Sequence, residues 1–206
     1  TTMETSHNHS FDNADYTPFV NEECGDTLWD EVLNQESAKP QNYASLAFTD
    51  PVKALQEEHR SRTAYERMEQ VVENKGFTRR ETHFINQRDS FYLATMGENG
   101  FPYIQHRGGP KGFVHVSDEF TLGFVDFSGN RQYISVGNLK THPKVSLIMM
   151  DYARQARLKM YAEAEVLSLE EHPELLKKLN LSHYKHTPER LFVLHVKAFD
   201  WNFPQH

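Results

Sequence analysis

The fold is decided by residues 88–116, which read RDSFYLATMGENGFPYIQHRGGPKGFVHV. Residues 90–96 are apolar and aromatic, and the turn GENG separates them from a second run of this kind at 101–107. The glycine-rich loop 108–112 then leads into FVHV at 113–116. Short runs of this length, bounded by glycine and asparagine, predict β-strands that are joined in hairpins.

The same pattern continues downstream of this stretch. It predicts two hairpins and a final strand, at residues 113–116 with 120–127, 144–152 with 156–167, and 191–201. Antiparallel strands at hairpin spacing tend to close on themselves and so remove their free edges. We therefore expect a small closed barrel of six antiparallel strands, mainly β with some α.

Two helices are predicted ahead of the first strand. Asp50 can cap the first of them, and its apolar stripe admits a break near Ser61. Thr78 and Glu81 stand three residues apart, as in a capping box at the start of the second helix, which places Phe84 on its buried side. These helices flank the expected barrel.

The remaining segments complete the predicted organisation. Residues 131–143 and 169–180 have helix-like patterns between the strands. Residues 1–47 mix acids, amides and aromatics without a sustained period, which indicates an irregular arm that packs on the barrel or on a partner chain. We therefore expect an N-terminal arm at 1–47 and one domain at 48–206, which begins with the helices.

Composition narrows the classes of function. The chain has 206 residues, a formal net charge of -7 and one cysteine, Cys24. The length suits one compact domain, and the acidic balance argues against affinity for nucleic acid or for anionic membranes. A single cysteine excludes an internal disulfide and a multi-cysteine zinc site. Residues 1–10 are polar and contain no apolar run, so we expect a cytoplasmic protein without a membrane span.

One group of candidate binding residues lies at the end of the second predicted strand. Gln105, His106 and Arg107 run directly into Gly108 and Gly109. Glycine lacks a side chain, so the backbone can approach a ligand closely there. This pattern predicts a polar, cationic strand end beside a binding loop.

Two further groups carry polar and basic residues. The segment 128–132, SGNRQ, follows a strand and opens a helix-like stretch, where free N–H groups suit a phosphate. Arg131 can add a charge-assisted hydrogen bond to that phosphate. Arg157 and Lys159 alternate on one face of a later strand. We expect the three groups to converge on one anion at an edge of the barrel.

Each group alone also has an ordinary structural explanation. Gly-Gly-Pro at 108–110 is a common turn, Asn130 is a good helix cap, and the two basic residues of the later strand could coat a solvated face. His183 and His186 stand three apart and could ligate a metal, but such a pair is more often an ordinary surface feature. The order and spacing of the groups are therefore more informative than any one of them.

That order resembles one known family. After residues 88–116, the chain reads TLGFVDFSGNRQYISVGNLKTHPKVSLIMMDY at 121–152 and RLKMYAEAEVL at 157–167. Together these stretches resemble the flavin mononucleotide (FMN)-binding split barrel of the pyridoxamine 5'-phosphate oxidase-like proteins. The resemblance implies a six-stranded antiparallel split β-barrel with flanking helices, FMN as cofactor, and a homodimer with two flavins at its interface.

The resemblance also assigns residues to the cofactor. It implies that Gln105, His106 and Arg107 contact the isoalloxazine ring or the ribityl chain. Arg131 and Gln132 match the family's phosphate-binding pair, which usually consists of two cations, whereas Gln132 is neutral. The cofactor-binding residues implied in total are Gln105, His106, Arg107, Lys111, Val125, Asp126, Asn130, Arg131, Gln132 and Arg157.

The other residues of that set have different implied roles. Val125 and Asp126 lie where the family's next strand passes the flavin with its backbone. Arg107 or Lys111 would supply the phosphate clamp with its missing cation. Arg157 lies where a side chain often reaches FMN from the other subunit. These roles follow from the resemblance alone.

The chain departs from the family at its end. Residues 203–206 read FPQH and lack the arginine and histidine with which true pyridoxamine 5'-phosphate oxidases hold their substrate. The resemblance therefore implies an FMN-dependent oxidoreductase that acts on an unidentified small molecule, with NADH or NADPH as a candidate donor. Two alternatives stay open, a non-enzymatic flavin-binding or stress-related protein and a haem-binding split barrel.

Overall fold

The computed structural model of the chain describes residues 42–71, 76–181 and 183–203. Helices before and between the strands flank a single sheet in this part of the chain. The helices are α1 (Tyr43–Ala47), α2 (Asp50–Glu58), α3 (Arg62–Val71), α4 (Arg79–Asn86), α5 (Ile134–Leu139) and α6 (Pro173–Leu179).

The sheet is antiparallel throughout the pairings of the described residues. Its strands follow the order β2-β1-β5-β6-β7-β4-β3. This architecture confirms the expected class, mainly β with flanking helices. The strands are β1 (Ser90–Met96), β2 (Pro102–Gly108), β3 (His115–Asp118), β4 (Thr121–Phe127), β5 (Lys144–Asp151), β6 (Ala156–Leu167) and β7 (Pro188–Asn202).

Two details of the predicted barrel were wrong. The seven predicted segments all form strands, so the expected number of six was one too low. β2 and β3 are the two ends of the sheet, so no backbone ladder closes it within the described residues. The physical reason lies in β3, which is four residues long and shifts register between Val116 and Asp118. A short, bulged strand cannot extend a regular ladder to a further partner. Side chains of β2 and β4 make contact instead, as described below.

The core is built on the inner face of the sheet. Burial alternates along β5 and β6, so that every second side chain points inwards. Phe124 and Phe192 stack with their centroids 5.0 Å apart, and Phe91 meets Phe124 edge to face at 5.4 Å. Burying a side chain of this size stabilises the fold by about 1.5–3 kcal/mol. These aromatic rings form the centre of the core beneath the sheet.

The longest ladder joins β6 to β7. It runs from the pair Arg157 and Asn202 to the pair Leu167 and Leu191. Strands rise about 3.3 Å per residue, so these two pairs lie about 30 Å apart. Residues at opposite ends of this ladder therefore cannot share a small-molecule site within one chain.

The helices bear out most of the sequence patterns. The predicted break near Ser61 is confirmed, because α2 ends at Glu58 and Arg60 adopts a left-handed backbone conformation with φ of 58°. The capping box of α4 is also confirmed, with the Thr78 N–H donating to Glu81 Oε2 at 2.9 Å. Phe84 is buried, as expected. The two later helices are shorter than their patterns, since α5 and α6 begin at Ile134 and Pro173.

Most of the predicted N-terminal arm, residues 1–41, lies outside the described residues. The described end of it is helical rather than irregular, since α1 begins after Asn42, whose Oδ1 accepts from the Ala44 N–H at 2.8 Å. Tyr43 stacks on Tyr161 of β6 with centroids 4.8 Å apart, and burial of this tyrosine raises its pKa. Among the described helices, none is long and apolar enough to cross a membrane.

Candidate functional site

A cleft of about 100 Å³ opens where the ends of β2 and β4 meet loop 128–133 and the start of β7. Its walls combine backbone turns with polar and charged side chains. Of the ten residues predicted from the sequence, the cleft brings together Gln105, Arg107, Asp126, Asn130, Arg131 and Gln132. It also contains five polar residues that the sequence did not single out, namely Tyr103, Tyr133, Ser135, Glu189 and Arg190.

Strand alternation decides which residues of β2 enter the cleft. Tyr103, Gln105 and Arg107 are half-buried and line it, because they share one face of the strand. His106 and Ile104 are exposed on the opposite face. The imidazole of His106 meets the ring of Tyr92 edge to face, with centroids 5.4 Å apart. Gln105 and Arg107 therefore face the cleft together, and His106 does not.

A carboxylate held by two arginines forms the inner wall of the cleft. Arg107 Nη1 donates to Asp126 Oδ1 at 2.8 Å, and Arg190 Nη1 donates to Asp126 Oδ2 at 2.6 Å. All three side chains are largely buried, with exposed fractions of 11%, 14% and 16% for Arg107, Asp126 and Arg190. Charge-assisted bonds of this length are strong in partly buried surroundings. We call these three residues the arginine–aspartate cluster.

The aromatic side chains of the core pack against the arginine–aspartate cluster. The Arg107 guanidinium lies 4.6 Å from the centroid of Phe192 and 5.5 Å from that of Phe124. Guanidinium groups stack well on ring faces while their edge N–H donors stay available for hydrogen bonds. Arg107 Nε is buried without a hydrogen-bond partner. The arginine is therefore fixed in position before any ligand arrives, with one donor still unsatisfied.

A second carboxylate ties the cluster to the outer loop. Glu189 Oε1 accepts from Arg190 Nη2 at 2.7 Å and from the Tyr133 hydroxyl at 2.8 Å. That hydrogen bond raises the pKa of Tyr133, which therefore stays a neutral donor. Burial alone would lower the pKa of Arg190, but the bonds and charges of Asp126 and Glu189 raise it, so the guanidinium stays charged.

Loop 128–133 has an unusual backbone that shapes the mouth of the cleft. Arg131 and Tyr133 both adopt left-handed conformations, with φ of 62° and 56°. Non-glycine residues are uncommon in this region and indicate a locally strained turn. Asn130 Oδ1 accepts from the Gln132 N–H at 3.2 Å and supports the turn. The exposed side chain of Arg131 therefore leaves the loop at the mouth of the cleft.

The short helix α5 is pinned against β1 and β2 by two side-chain hydrogen bonds. The Ser135 hydroxyl donates to Gln105 Oε1 at 2.9 Å, and Asn138 Nδ2 donates to Thr95 Oγ1 at 2.9 Å. Because Oε1 of Gln105 is engaged, its amide Nε2 is the group that can donate to a ligand in the cleft. These bonds fix both the amide and the loop that precedes α5.

The cleft has the electrostatics of an anion site with modest excess charge. Three arginines and two carboxylates line it, which leaves one net positive charge. Arg131 has no carboxylate partner among the described residues, whereas Arg107 and Arg190 are paired. An anion at the mouth would therefore meet one uncommitted guanidinium, with Gln105 Nε2 as a neutral donor further in.

Four predicted site residues lie elsewhere in the chain. Val125 is buried in the core with an exposed fraction of 4%, although its neighbour Asp126 enters the cleft. Lys111 and His106 are exposed and do not line the cleft. Arg157 lies at the far end of the β6–β7 ladder, so the three groups do not converge within one chain. The separation of Arg157 results from strand length, which the alternation of residues does not reveal.

Sequence patterns did not single out the residues that β7 contributes to the cleft. Glu189 and Arg190 enter the cleft because β7 pairs with β4, with Arg190 directly opposite Asp126. The available signal was a charged pair at the very start of an apolar strand, in PERLFVLHV at 188–196. A charged side chain next to such a buried strand needs a partner of opposite charge. Asp126, near the end of β4, is that partner for Arg190.

The histidines do not build a metal site in the described residues. No group of three or more histidine, cysteine, aspartate or glutamate side chains is placed to hold a metal there. His183 and His186 are exposed, and His186 lies against the ring of Tyr184 at 4.3 Å. His195 pairs with Glu165 at 3.1 Å.

A comparison with family models decides the relationship of the chain. The model described as pyridoxamine 5'-phosphate oxidase matches residues 77–203. The chain belongs to this family. The match covers α4, all seven strands and the whole cleft, and it confirms the resemblance inferred from the sequence. A search of curated proteins finds no significant match.

Three solved structures are among those similar to part of the chain. A putative pyridoxamine 5'-phosphate oxidase of Lactobacillus delbrueckii is 19% identical, with 63% of this chain and 97% of that chain covered at a TM-score of 0.48. An FMN-binding protein of Syntrophomonas wolfei is 18% identical, with 74% and 99% covered at 0.46. A Clostridium acetobutylicum protein related to general stress protein 26 is 16% identical, with 64% and 91% covered at 0.47. At such identities and TM-scores, these likenesses say nothing about a ligand or an activity.

Proposed function

We propose that the chain binds FMN in the cleft and works as an oxidoreductase on a small molecule, with NADH or NADPH as donor. The observation that carries the proposal is the arginine–aspartate cluster, which holds Arg107 rigidly beside an uncommitted Arg131. A flavin phosphate needs charge-assisted donors, and a flavin ring needs fixed polar groups beside it. The cleft provides both within a single polar wall.

Arg131 is the residue best suited to the phosphate. It is exposed at the mouth, and no carboxylate in the described chain competes for it. Gly129 leaves open space, since a side chain there would meet nothing within 4 Å. A phosphate could therefore approach the loop backbone as well as the guanidinium. The neutral Gln132 offers its amide and leaves Arg131 as the main charge of the clamp.

Gln105 and Arg107 are suited to the polar edge of a flavin. Bound FMN would supply the hydride and electron transfer, which no side chain of the protein can supply. Gln105 Nε2 is oriented by Ser135 and can donate to a ring acceptor. The buried Nε of Arg107 lacks a partner, and the positive charge of this side chain favours negative charge beside it. Both residues therefore bind and orient the ring.

The size of the cleft supports a second chain as its other wall. Ligand pockets usually enclose about 300–1,000 Å³, and this cleft has about 100 Å³. The outer face of β2 and the turn after β5 carry apolar side chains that remain accessible, namely Ile104 at 68% and Tyr152 at 71% exposed. A two-fold homodimer through this face would cover them. Arg157 on the outer face of β6 would then reach the partner's cleft.

The first test is the absorption spectrum of the purified protein after FMN is added and the excess removed. We expect the two bands of an oxidised flavin to stay with the protein, and NADH or NADPH to bleach them. A spectrum without retained flavin would overturn the proposal. Retained flavin that no donor reduces would favour the non-enzymatic flavin-binding alternative.

Substitution of Arg131 tests the placement of the phosphate. We expect Arg131→Ala to weaken FMN binding about tenfold to a hundredfold, because a charge-assisted bond to a dianion is lost. Riboflavin, which lacks the phosphate, should bind the variant and the unmodified protein equally well. Both affinities can be measured by quenching of flavin fluorescence.

The matched control is Arg79→Ala, which removes the same charge from an exposed position on α4. It should leave FMN affinity within about twofold, since an exposed charge outside the cleft is screened. An equal loss in both variants would show that Arg131 acts only through net charge. In that case the phosphate is held elsewhere.

A further inference from the structure

We infer that the chain has a second ligand site, which takes a small planar aromatic anion such as an aryl carboxylate. The site is a cavity of about 220 Å³ between α4, the β5–β6 turn and the end of β7. We call it the aromatic pocket. The lining residues that bear on ligand binding are Arg80, Phe84, Arg88, Arg154, Trp201 and Phe203.

Three aromatic rings give the pocket an apolar surface. Trp201 and Phe203 stack with centroids 5.4 Å apart and planes 14° from parallel. Phe84 meets Trp201 edge to face at 4.7 Å. Aromatic side chains arranged with both faces and edges presented favour a further aromatic ring beside them. The geometry therefore selects for a flat, unsaturated ligand.

Cations surround these rings. The Arg80 guanidinium lies 4.7 Å from the centroid of Trp201 and 4.5 Å from that of Phe203. Arg154 is 68% exposed, and its nearest carboxylate oxygen, on Asp151, is 3.9 Å away. Stacked guanidinium groups keep their N–H edges free for a carboxylate. Arg80 and Arg154 are therefore the groups that can pair with an anion.

The carboxylates near the pocket do not neutralise Arg80. Glu81 is buried and its Oε1 accepts a hydrogen bond from Trp201 Nε1 at 2.9 Å. Asp151 is committed to Arg88, at 3.3 Å, and to the Arg154 backbone N–H, at 3.1 Å. In the described chain, Arg80 has aromatic partners and no carboxylate. A bound anion would be the negatively charged partner of Arg80.

The size of the pocket fits the proposed ligand. An apolar cavity of about 150 Å³ can hold benzene, and the aromatic pocket measures about 220 Å³. It therefore has room for one aromatic ring with its carboxylate, or for a fused pair that protrudes towards the rim. Its lining combines three aromatic rings with the cations of Arg80, Arg88 and Arg154, as such ligands require.

The aromatic pocket does not depend on the proposed flavin site. It shares no lining residue with the cleft. Within one chain the two lie at opposite ends of the β6–β7 ladder, because Trp201 pairs with Leu158 and Arg190 precedes the pair of Leu191 and Leu167. The site therefore stands even if the chain binds no flavin.

The probe is 1-naphthoate, titrated into the full-length protein by calorimetry. We expect saturable binding with one site per chain, and an affinity about tenfold lower in Arg80→Ala because one charge-assisted bond is lost. The matched variant Arg79→Ala removes the neighbouring exposed charge and should change the affinity less than about twofold. The cation 1-naphthylmethylammonium carries the same rings and should bind at least tenfold more weakly than naphthoate.

A spectroscopic signal places the ligand. The chain has two tryptophans, so Trp29→Phe identifies the indole N–H resonance of Trp201. We expect naphthoate to shift that resonance and not the other. Equal losses in the Arg80 and Arg79 variants, equal binding of the naphthyl cation, or an unmoved Trp201 resonance would each overturn the proposal. Loss of naphthoate binding in Arg131→Ala would do so as well, since it would place the probe in the cleft.

Discussion

The arginines at the two ends of the β6–β7 ladder have different partners. In the cleft, Arg107 and Arg190 share the carboxylate of Asp126 at 2.8 and 2.6 Å. In the aromatic pocket, Arg80 lies over the rings of Trp201 and Phe203 and meets no carboxylate in the described chain. The same side chain is thus neutralised by an acid at one end and supported by aromatic faces at the other.

The different partners predict which arginines are held in place and which can still bind a ligand. An arginine paired with a buried carboxylate is fixed, but much of its charge is already used. An arginine stacked on rings keeps its charge and its edge donors, since the rings contribute no competing acceptor for them. We therefore expect substitutions in the arginine–aspartate cluster to act first on stability, and substitution of Arg80 to act first on ligand affinity.

The largest expected effect comes from removing the shared acid. Asp126→Asn keeps the size of the side chain but leaves Arg107 without a counter-charge and Arg190 with only that of Glu189. Breaking one partner of a buried ion pair costs about 3–5 kcal/mol, so the free energy of unfolding in urea should fall by about 3 kcal/mol. The control is Asp200→Asn, which breaks the more exposed pair with Lys159 and should cost about 0–1 kcal/mol. Equal effects would refute a special role for the cluster.

An intermediate effect is expected at the other end of the ladder. Trp201→Phe keeps an aromatic ring but removes the indole N–H that donates to buried Glu81. An unsatisfied buried acceptor costs about 1–3 kcal/mol, and the free energy of unfolding should fall by about that amount. A double-mutant cycle with Glu81→Leu measures the coupling of the two side chains, because leucine offers the indole N–H no acceptor. Strict additivity would show that the hydrogen bond contributes nothing to stability.

The smallest expected effect is the pH dependence of the stability that Glu81 contributes. Burial alone would raise the pKa of Glu81, but hydrogen bonds from Thr78 and Trp201 lower it below its usual 4.5. The ionised carboxylate therefore stabilises the fold above that pH, and this contribution is lost as the pH falls through 4.5 towards the lower folded-state pKa. The stability gap between the unmodified protein and Glu81→Gln should narrow over that range. A gap that widens in acid would reverse the sign of the argument.

Local patterns predicted the secondary structure well. The capping box of Thr78 and Glu81, the break near Ser61 and the strand segments each depend on residues close together in the sequence. Closure of the sheet could not be predicted in the same way. It depends on whether β3 is long enough to pair on its free side, and a bulge of one residue decides that.

The site was predictable only in part, for a similar reason. Gln105, Asn130 and Arg131 belong to local motifs, and they do line the cleft. The arginine–aspartate cluster joins β2, β4 and β7, with Arg190 lying 64 residues beyond Asp126. Such a contact follows from strand pairing rather than from spacing in the sequence. Homodimer formation and the contribution of Arg157 to a partner's cleft stay predictions.

The position of β7 in the chain has a consequence for protein synthesis. β7 is made after the other described strands, yet it pairs with both β4 and β6 and supplies Arg190 to the cluster. While residues 188–202 remain inside the ribosome, β4 has only β3 beside it, and the apolar edges of β4 and β6 stay open. Unpaired strand edges of this kind make nascent chains prone to aggregation. The core is therefore completed only after residues 188–202 have left the ribosome, and a pause in translation before that point prolongs the time for which the open strand edges depend on chaperones.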